Sequence, residues 1–373
     1  MSRSWQITFI DFDDIQNPLL GAGSAIATFE MCKRFVKKGH SVEVISSKFP
    51  GSKDGYHDGI LYTHIGVSSK YLRLNNIAFF FALPLRVRKI RADIIVESFA
   101  APISTLFSPL FTKIPVIAFS DIFNAEEFSK KYHLPFHWIE HFGCRFYRYM
   151  IALTESMRQK MMKYNPTIRA EVIPYGVDEI YMHNKTNDGL YALCLSRIDI
   201  YQKGFDLLLD AISKSVKKLN ITIIIAGIGN NKEIKKLNTL IKKMQLENTV
   251  MYVGKVSGQK KLDLISGARF GICASRFETF GISVLEFLAS AKPIVCFNID
   301  GLQWLPENTA LKAEPFSETS LSKVLVQMSE QNNLRQKYSV NARHFAADFS
   351  WDKIVMKYED FFDEILRLEK RHA

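Results

Sequence analysis

Short apolar runs punctuate the chain, and between them lie longer stretches in which apolar positions recur at helical spacing. The first run, Gln6-Ile-Thr-Phe-Ile10, reads as a buried strand. A loop from Asp11 follows, containing Gly21-Ala-Gly23, and Ser24 stands where it would cap a helix over 24–38. On that helix Ile26, Phe29, Cys32, Phe35 and Val36 are expected inward, with Lys33, Lys37 and Lys38 outward. Gly39 ends it, and 41–45 is the next strand. Strand, loop, helix and strand make a crossover unit, which implies a parallel sheet.

Further strands are expected at 93–96, 115–119, 150–153 and 171–173. An aromatic-rich helix over 134–149 is expected to put most of Phe136, Trp138, Phe142, Phe146 and Tyr147 into the core. His133, His137 and His141 share a face of it. No acid completes an H-E-x-x-H arrangement, so they read as ordinary histidines rather than metal ligands. The polar run His183-Asn-Lys-Thr-Asn187 before Asp188-Gly189 reads as a linker. A second series begins there, with strands at 190–195, 221–225, 250–253, 270–273 and 293–297. Helices fall at 205–219, 232–244, 258–266 and 282–290, and three more close the chain near 320–331, 334–348 and 351–370. Continuous apolar runs mark strands buried on both faces, so the pattern supports two Rossmann-like domains in series.

The 373 residues, 47% hydrophobic and 23% charged, suit two globular domains. Cys32, Cys144, Cys194, Cys273 and Cys296 are scattered with no C-x-x-C pair, which favours buried free thiols in a reducing compartment. Met1-Ser-Arg-Ser-Trp-Gln leads straight into a strand, so no signal peptide is expected. The apolar stretch 77–85 is too short for a membrane span and carries Pro84. The net charge of +11 points to nucleic acid, an anionic membrane surface or phosphorylated substrates. Basic residues beside Phe79-Phe80-Phe81 (Arg86, Arg88, Lys89, Arg91) and around Tyr147 (Arg145, Arg148) favour the membrane surface. No nucleic-acid-binding fold is recognisable, so a nucleic-acid partner is not expected.

Candidate chemistry concentrates in 275–297. A polar loop with Ser275, Arg276, Glu278, Thr279 and Gly281 opens an apolar helix that holds a second carboxylate, Glu286. A carboxylate inside an apolar helix calls for a partner. Free N–H groups at the helix start, from Gly281, Ile282 and Ser283, offer an anion site. Arg197 and Lys203 flank the loop after the first strand of the second series, where ligands bind in open α/β sheets. Gly227-Ile-Gly229 and Gly254-Lys255-Val256 follow the next two strands. Gly21-Ala-Gly23 is half of a phosphate loop and lacks the full G-x-G-x-x-G, which argues against a dehydrogenase. Asp11-Phe-Asp13 has the form of a D-x-D metal motif, but it stands at the end of the first strand and reads as loop acids, so no required metal is expected.

The stretch Ser275-Arg-Phe-Glu-Thr-Phe-Gly-Ile-Ser-Val-Leu-Glu286, then Ala291-Lys-Pro-Ile-Val295, resembles the E-x7-E signature of retaining glycosyltransferases of family four. Ser196-Arg197 with Lys203-Gly204, Val172-Ile-Pro-Tyr-Gly-Val-Asp178, Ala152-Leu-Thr-Glu-Ser156 and Phe349-Ser-Trp351 resemble it too. The resemblance spans nearly the whole chain and is loosest over 49–149. It implies the GT-B fold: two Rossmann-like domains facing each other across a cleft, with a C-terminal helix crossing back to the first. It assigns 1–187 to acceptor binding, 188–348 to the nucleotide-sugar donor and 349–373 to the closing helix. Arg197 and Lys203 would hold the donor diphosphate, Glu278 the sugar, Thr279, Phe280, Gly281 and Ile282 sugar and phosphate, and Glu286 the ribose. Lys255 and Val256 would meet the base, Gly227 would line the donor loop edge, and Gly21 and Gly23 would supply the first-domain side of the phosphate site. Where many members carry a histidine after the strand at 116–119, this chain has Phe119-Ser120-Asp121-Ile122, so Asp121 or Ser120 is expected at the sugar or acceptor. The implied donor is a UDP-sugar ahead of a GDP-sugar. The implied acceptor is a glycan or lipid-linked molecule, and the implied location is cytoplasmic or peripheral on the inner face of the membrane. A phosphorylase or nucleotide-sugar epimerase on the same fold, and a basic nucleic-acid- or membrane-binding protein without catalysis, are the competing readings.

Overall fold

The computed structural model describes residues 4–19, 23–100, 107–126, 129, 133–183 and 189–372. The chain forms two compact units, one of Met1–Gly176 with Trp351–Ala373, the other of Val177–Ser350.

The first unit holds an eight-stranded sheet in the order β3-β4-β2-β1-β5-β6-β7-β8. The strands are β1 Gln6–Ile10, β2 Ser41–Ser47, β3 Gly55–His57, β4 Ile60–Ile65, β5 Ile94–Ser98, β6 Val116–Ser120, β7 Tyr149–Ala152 and β8 Arg169–Val172. All pairs are parallel except the short β3–β4 hairpin. Its helices include α1 Gly23–Lys37, α2 Leu72–Val87, α3 Phe136–Gly143 and α4 Glu155–Tyr164. Ser24 lies inside α1 rather than capping it, and the buried stripe runs through Ala25, Thr28, Phe29, Cys32 and Phe35 while Ile26 is exposed. The aromatic helix is shorter than its pattern suggests: α3 ends at Gly143, a 3-10 turn follows, and Tyr149 begins β7. Trp138 and Phe142 face solvent, whereas Tyr147 is buried.

The second unit holds a six-stranded parallel sheet in the order β11-β10-β9-β12-β13-β14. Its strands are β9 Tyr191–Leu195, β10 Thr222–Ala226, β11 Val250–Tyr252, β12 Gly271–Cys273, β13 Ile294–Phe297 and β14 Ala310–Ala313. Its helices are α5 Ile180–His183, α6 Phe205–Ser215, α7 Asn231–Lys243, α8 Gly258–Ser266, α9 Ile282–Ala289, α10 Glu318–Glu330 and α11 Asn332–Ala346. The strand order turns back between β9 and β12, and ligands of open α/β sheets bind at the carboxyl ends of strands at such a reversal.

The last helix, α12 Trp351–His372, belongs to the first unit and packs along α1. Phe362 stacks on Phe35 at 5.7 Å, and Lys38 and His40 both meet Glu359. All five cysteines are buried free thiols. Among the described residues no helix is long and apolar enough to cross a membrane, and no group of side chains is placed to hold a metal ion.

Candidate active site

The loops after β9 and β12 are locked together at the strand-order reversal. Gly204, with φ 64°, lies where a Cβ would stand 2.0 Å from the carbonyl oxygen of Ala274. The Arg276 guanidinium donates to both carboxylate oxygens of Asp206 at 2.7 Å and lies 4.6 Å from the Tyr201 ring. The backbone N–H of Arg276 donates to the Gln202 carbonyl. These contacts fix where Lys203 can reach. Its ammonium donates to Glu278 Oε1 at 2.6 Å, and the Ser275 hydroxyl donates to the same oxygen at 2.7 Å. Both charged side chains are largely buried, at 14% and 12% exposure, so the pair has an interior character that an exposed ion pair lacks. Gly301 presses against the other side of the loop, where a Cβ would meet the Glu278 carbonyl oxygen at 1.8 Å.

Cys273 and Cys194 lie beneath this pair. Burial, with the Glu278 charge beside Cys273 and Cys273 itself beside Cys194, pushes both thiols up to about 12. They stay protonated and serve as packing rather than as nucleophiles.

Glu278 leads into the start of α9. Gly281 takes φ 80° at the helix N-cap, and no side chain caps the helix. The first N–H groups of α9 therefore keep their donor capacity. The loop is held from behind: Phe280 is buried and stacks on Trp304 at 4.4 Å, and Trp304 Nε1 donates to the Phe280 carbonyl at 2.9 Å.

One turn into α9, Glu286 is buried, and Lys261 of α8 donates to its Oε1 at 2.6 Å. The Tyr181 phenol, raised by burial and then by the Glu286 charge, lies on the same carboxylate, and the Lys261 ammonium is 5.7 Å from its ring. The expected partner of Glu286 is thus Lys261, which nothing in the local sequence marked.

The other expected donor-side residues line the same strand ends. Arg197 is exposed after β9 and donates to the Gln202 side chain at 2.7 Å. Among the described residues it makes no ion pair. Gly227 follows β10 with its N–H on the Gly254 carbonyl, and Tyr252 donates to the Gly227 carbonyl. Lys255 is exposed and Val256 half-buried on the loop after β11; neither has a polar contact that ties it to the two glutamates.

In the first unit, Gly23 opens α1 and is exposed, while Gly21 lies outside the described residues. Asp121 follows β6. Burial pushes it up to about 6, and its Oδ1 is buried without a hydrogen-bond partner. Asp11, at the end of β1, is pushed up to about 7 by burial and by the Asp121 charge, against a hydrogen bond from the Thr28 hydroxyl at 2.7 Å. Asp14 accepts from His64, whose other ring nitrogen meets Asp54 at 3.0 Å. Burial opposes protonation of His64, but the two carboxylates prevail and raise its pKa. Asp11 and Asp14 are therefore structural acids committed to neighbours, and Asp121 keeps a free oxygen.

Residues 179–345 match the family model described as glycosyl transferases group 1, and residues 21–180 match glycosyltransferase family 4. An uncharacterized glycosyltransferase of Methanocaldococcus jannaschii is 27% identical over 53% of this chain and 54% of its own length. The alpha-monoglucosyldiacylglycerol synthase of Streptococcus pneumoniae is 24% identical over 55% of this chain and 52% of its own length. The chain thus spans about half the length of the curated relatives it matches. Among solved structures, Anabaena HepE in complex with UDP-glucose superposes with a TM-score of 0.75 at 15% identity, covering 96% of this chain and 100% of that one. With two parallel-sheet α/β units matched in turn by two glycosyltransferase models, the chain has the GT-B fold.

Proposed function

We propose that the chain moves a sugar from a nucleotide-diphosphate sugar to a glycan or glycolipid acceptor at the cytoplasmic membrane face, with retention of anomeric configuration. The observation that carries this reading is the Lys203–Glu278 contact at the β9/β12 reversal, beside the uncapped start of α9. A departing nucleoside diphosphate gains negative charge, and Arg197, Lys203 and the N–H groups of Gly281, Ile282 and Ser283 are cations and donors suited to it. The sugar gains positive character, which Glu278 would offset. Lys203 donates to Glu278 at 2.6 Å. A bound diphosphate would draw the ammonium to its oxygens and leave Glu278 for the sugar hydroxyls. Glu286 would anchor the ribose, with Lys255, Val256 and Gly227 near the base. Gly21, Gly23 and Asp121 are assigned to the acceptor-side domain, taken as 1–187, with 188–348 as the donor domain and 349–373 as the closing helix.

A UDP-sugar is favoured over a GDP-sugar, supported by the likeness to a structure solved with UDP-glucose. The decisive experiment measures sugar transfer and slow donor hydrolysis across a panel of nucleotide sugars. Glu278→Gln and Arg197→Ala are expected to lose transfer by on the order of a hundredfold to a thousandfold, and the exposed Arg197→Ala variant unfolds as the parent does. Turnover at the parent rate in both variants overturns the reading.

A further inference from the structure

Helix α2 is apolar on two opposite sides. Its inner side, through Phe79, Leu83 and Val87, is buried on the sheet of the first unit. Its outer side carries Leu74, Ile77, Phe81 and Leu85 at spacings of three and four, a single stripe along a helix. All four are exposed, Phe81 at 72% and Leu85 at 63%. A soluble helix ordinarily turns its polar face outward, and this one has no acidic residue in it. From Gly66 to Ala92 the sequence contains no Asp or Glu. Lys70 and Arg88 fall at the two ends of the stripe, and Lys89 and Arg91 follow within one turn. All four are exposed. Arg86 is not part of this set, because it pairs with Glu43.

We propose that the outer face of α2 lies in the interface of an anionic bilayer, its apolar stripe among the acyl chains and its basic rim on the headgroup phosphates. A helix pressed flat on a membrane needs a continuous apolar stripe for the hydrocarbon boundary and cations at its edges for the negative surface, and α2 has both. The absence of carboxylates over the whole segment fits a negatively charged surface better than another protein, whose contact face would be matched by mixed charges. Trp138 and Phe142, exposed on α3, lie on the same side of the sheet as α2. Crossovers from β4 to β5 and from β6 to β7 run in the same direction along the sheet, so right-handedness puts α2 and α3 on one face. Pro84 does not interrupt the stripe, since it lies within the last turn. The proposal draws on the glycolipid-acceptor reading only for its purpose. Its own test needs no turnover.

The full chain is sedimented with vesicles of phosphatidylcholine alone and of phosphatidylcholine with phosphatidylglycerol, at low and high salt. Binding to the anionic vesicles alone, weakened by salt, is expected. Ile77→Glu with Phe81→Glu should lower the bound fraction at least about tenfold, since each removes apolar area from the interface and adds repelled charge. Arg88→Gln, Lys89→Gln and Arg91→Gln together should weaken binding on the order of a hundredfold at low salt. These exposed substitutions leave the melting curve and donor binding in place, which separates lost docking from lost folding. Equal binding to neutral vesicles, or none at low salt, overturns the proposal. So does a dimer in sedimentation velocity that Ile77→Glu and Phe81→Glu dissolve while vesicle binding is absent, which would assign the stripe to a second copy of the chain.

Discussion

At the scale of single residues, Gly227 has almost no freedom. With φ at 152° and a Cβ that would stand 1.7 Å from the Ser196 carbonyl oxygen, it tolerates no side chain. Gly227→Ala must push Ser196 and Arg197 away from β10. A loss of roughly 2 kcal/mol or more in urea unfolding is expected, together with weaker stabilisation by UDP-glucose. Asp11 makes the second residue-scale prediction. Burial raises its pKa from 3.8 to about 7, so the folded state binds a proton that the unfolded state has released. Stability therefore falls as pH rises from about 4 through 7, the opposite of an ion-paired acid. Asp121, raised to about 6, adds in the same direction. Melting temperatures taken between pH 4 and pH 8 should decline more steeply for the parent than for Asp11→Asn, which keeps the Thr28 hydroxyl contact but has nothing to titrate. A steeper decline in the variant would remove Asp11 from that role.

At the scale of elements, Glu286 depends on a neighbouring helix. Lys261→Met leaves a buried carboxylate with no cation, and should cost roughly 1–3 kcal/mol in chemical unfolding without donor. Adding Glu286→Gln should recover much of it, giving a coupling that a double-mutant cycle reads. If the double variant is as unstable as the two losses summed, the pair is not an energetic unit. This partnership marks the limit of what the sequence makes legible. The anomaly was visible, a carboxylate among Val284, Leu285, Phe287 and Leu288. Its solution was not, since Lys261 sits 25 positions away on a lysine-bearing surface helix like several others. Buried parallel strands were legible because they are unbroken apolar runs. The β3–β4 hairpin was not: β3 is wholly exposed and β4 interleaves Tyr62, Thr63 and His64 among its apolar residues. The rings of α3 misled for a related reason. Aromatic content looks the same in the core and on a surface that meets something else, so the pattern places Trp138 and Phe142 inside although both are exposed.

At the scale of the whole molecule, the chain visits the first unit twice. Residues 1–176 alone would leave open the groove that α12 fills, where Trp351, Ile354, Tyr358 and Phe362 are buried. Phe362 stacks on Phe35 and meets Trp5 edge-on at 6.1 Å, so its removal opens a cavity where the end of the chain locks onto its beginning. Phe362→Ala should destabilise the first unit by about 3–5 kcal/mol. The second unit, Val177–Ser350, has its own sheet and core and contains the Lys203–Glu278 and Lys261–Glu286 pairs. A ligand that binds only the folded form stabilises in proportion to the logarithm of its concentration over Kd. Saturating UDP-glucose should therefore protect amides of β9, β12 and α9 from hydrogen exchange equally in the parent and in Phe362→Ala. Amides of β1, β2 and α1 should exchange faster in the variant whether or not donor is present. Donor protection lost together with the first unit would mean that the nucleotide sugar depends on residues of both, and that the second unit does not carry the donor site by itself.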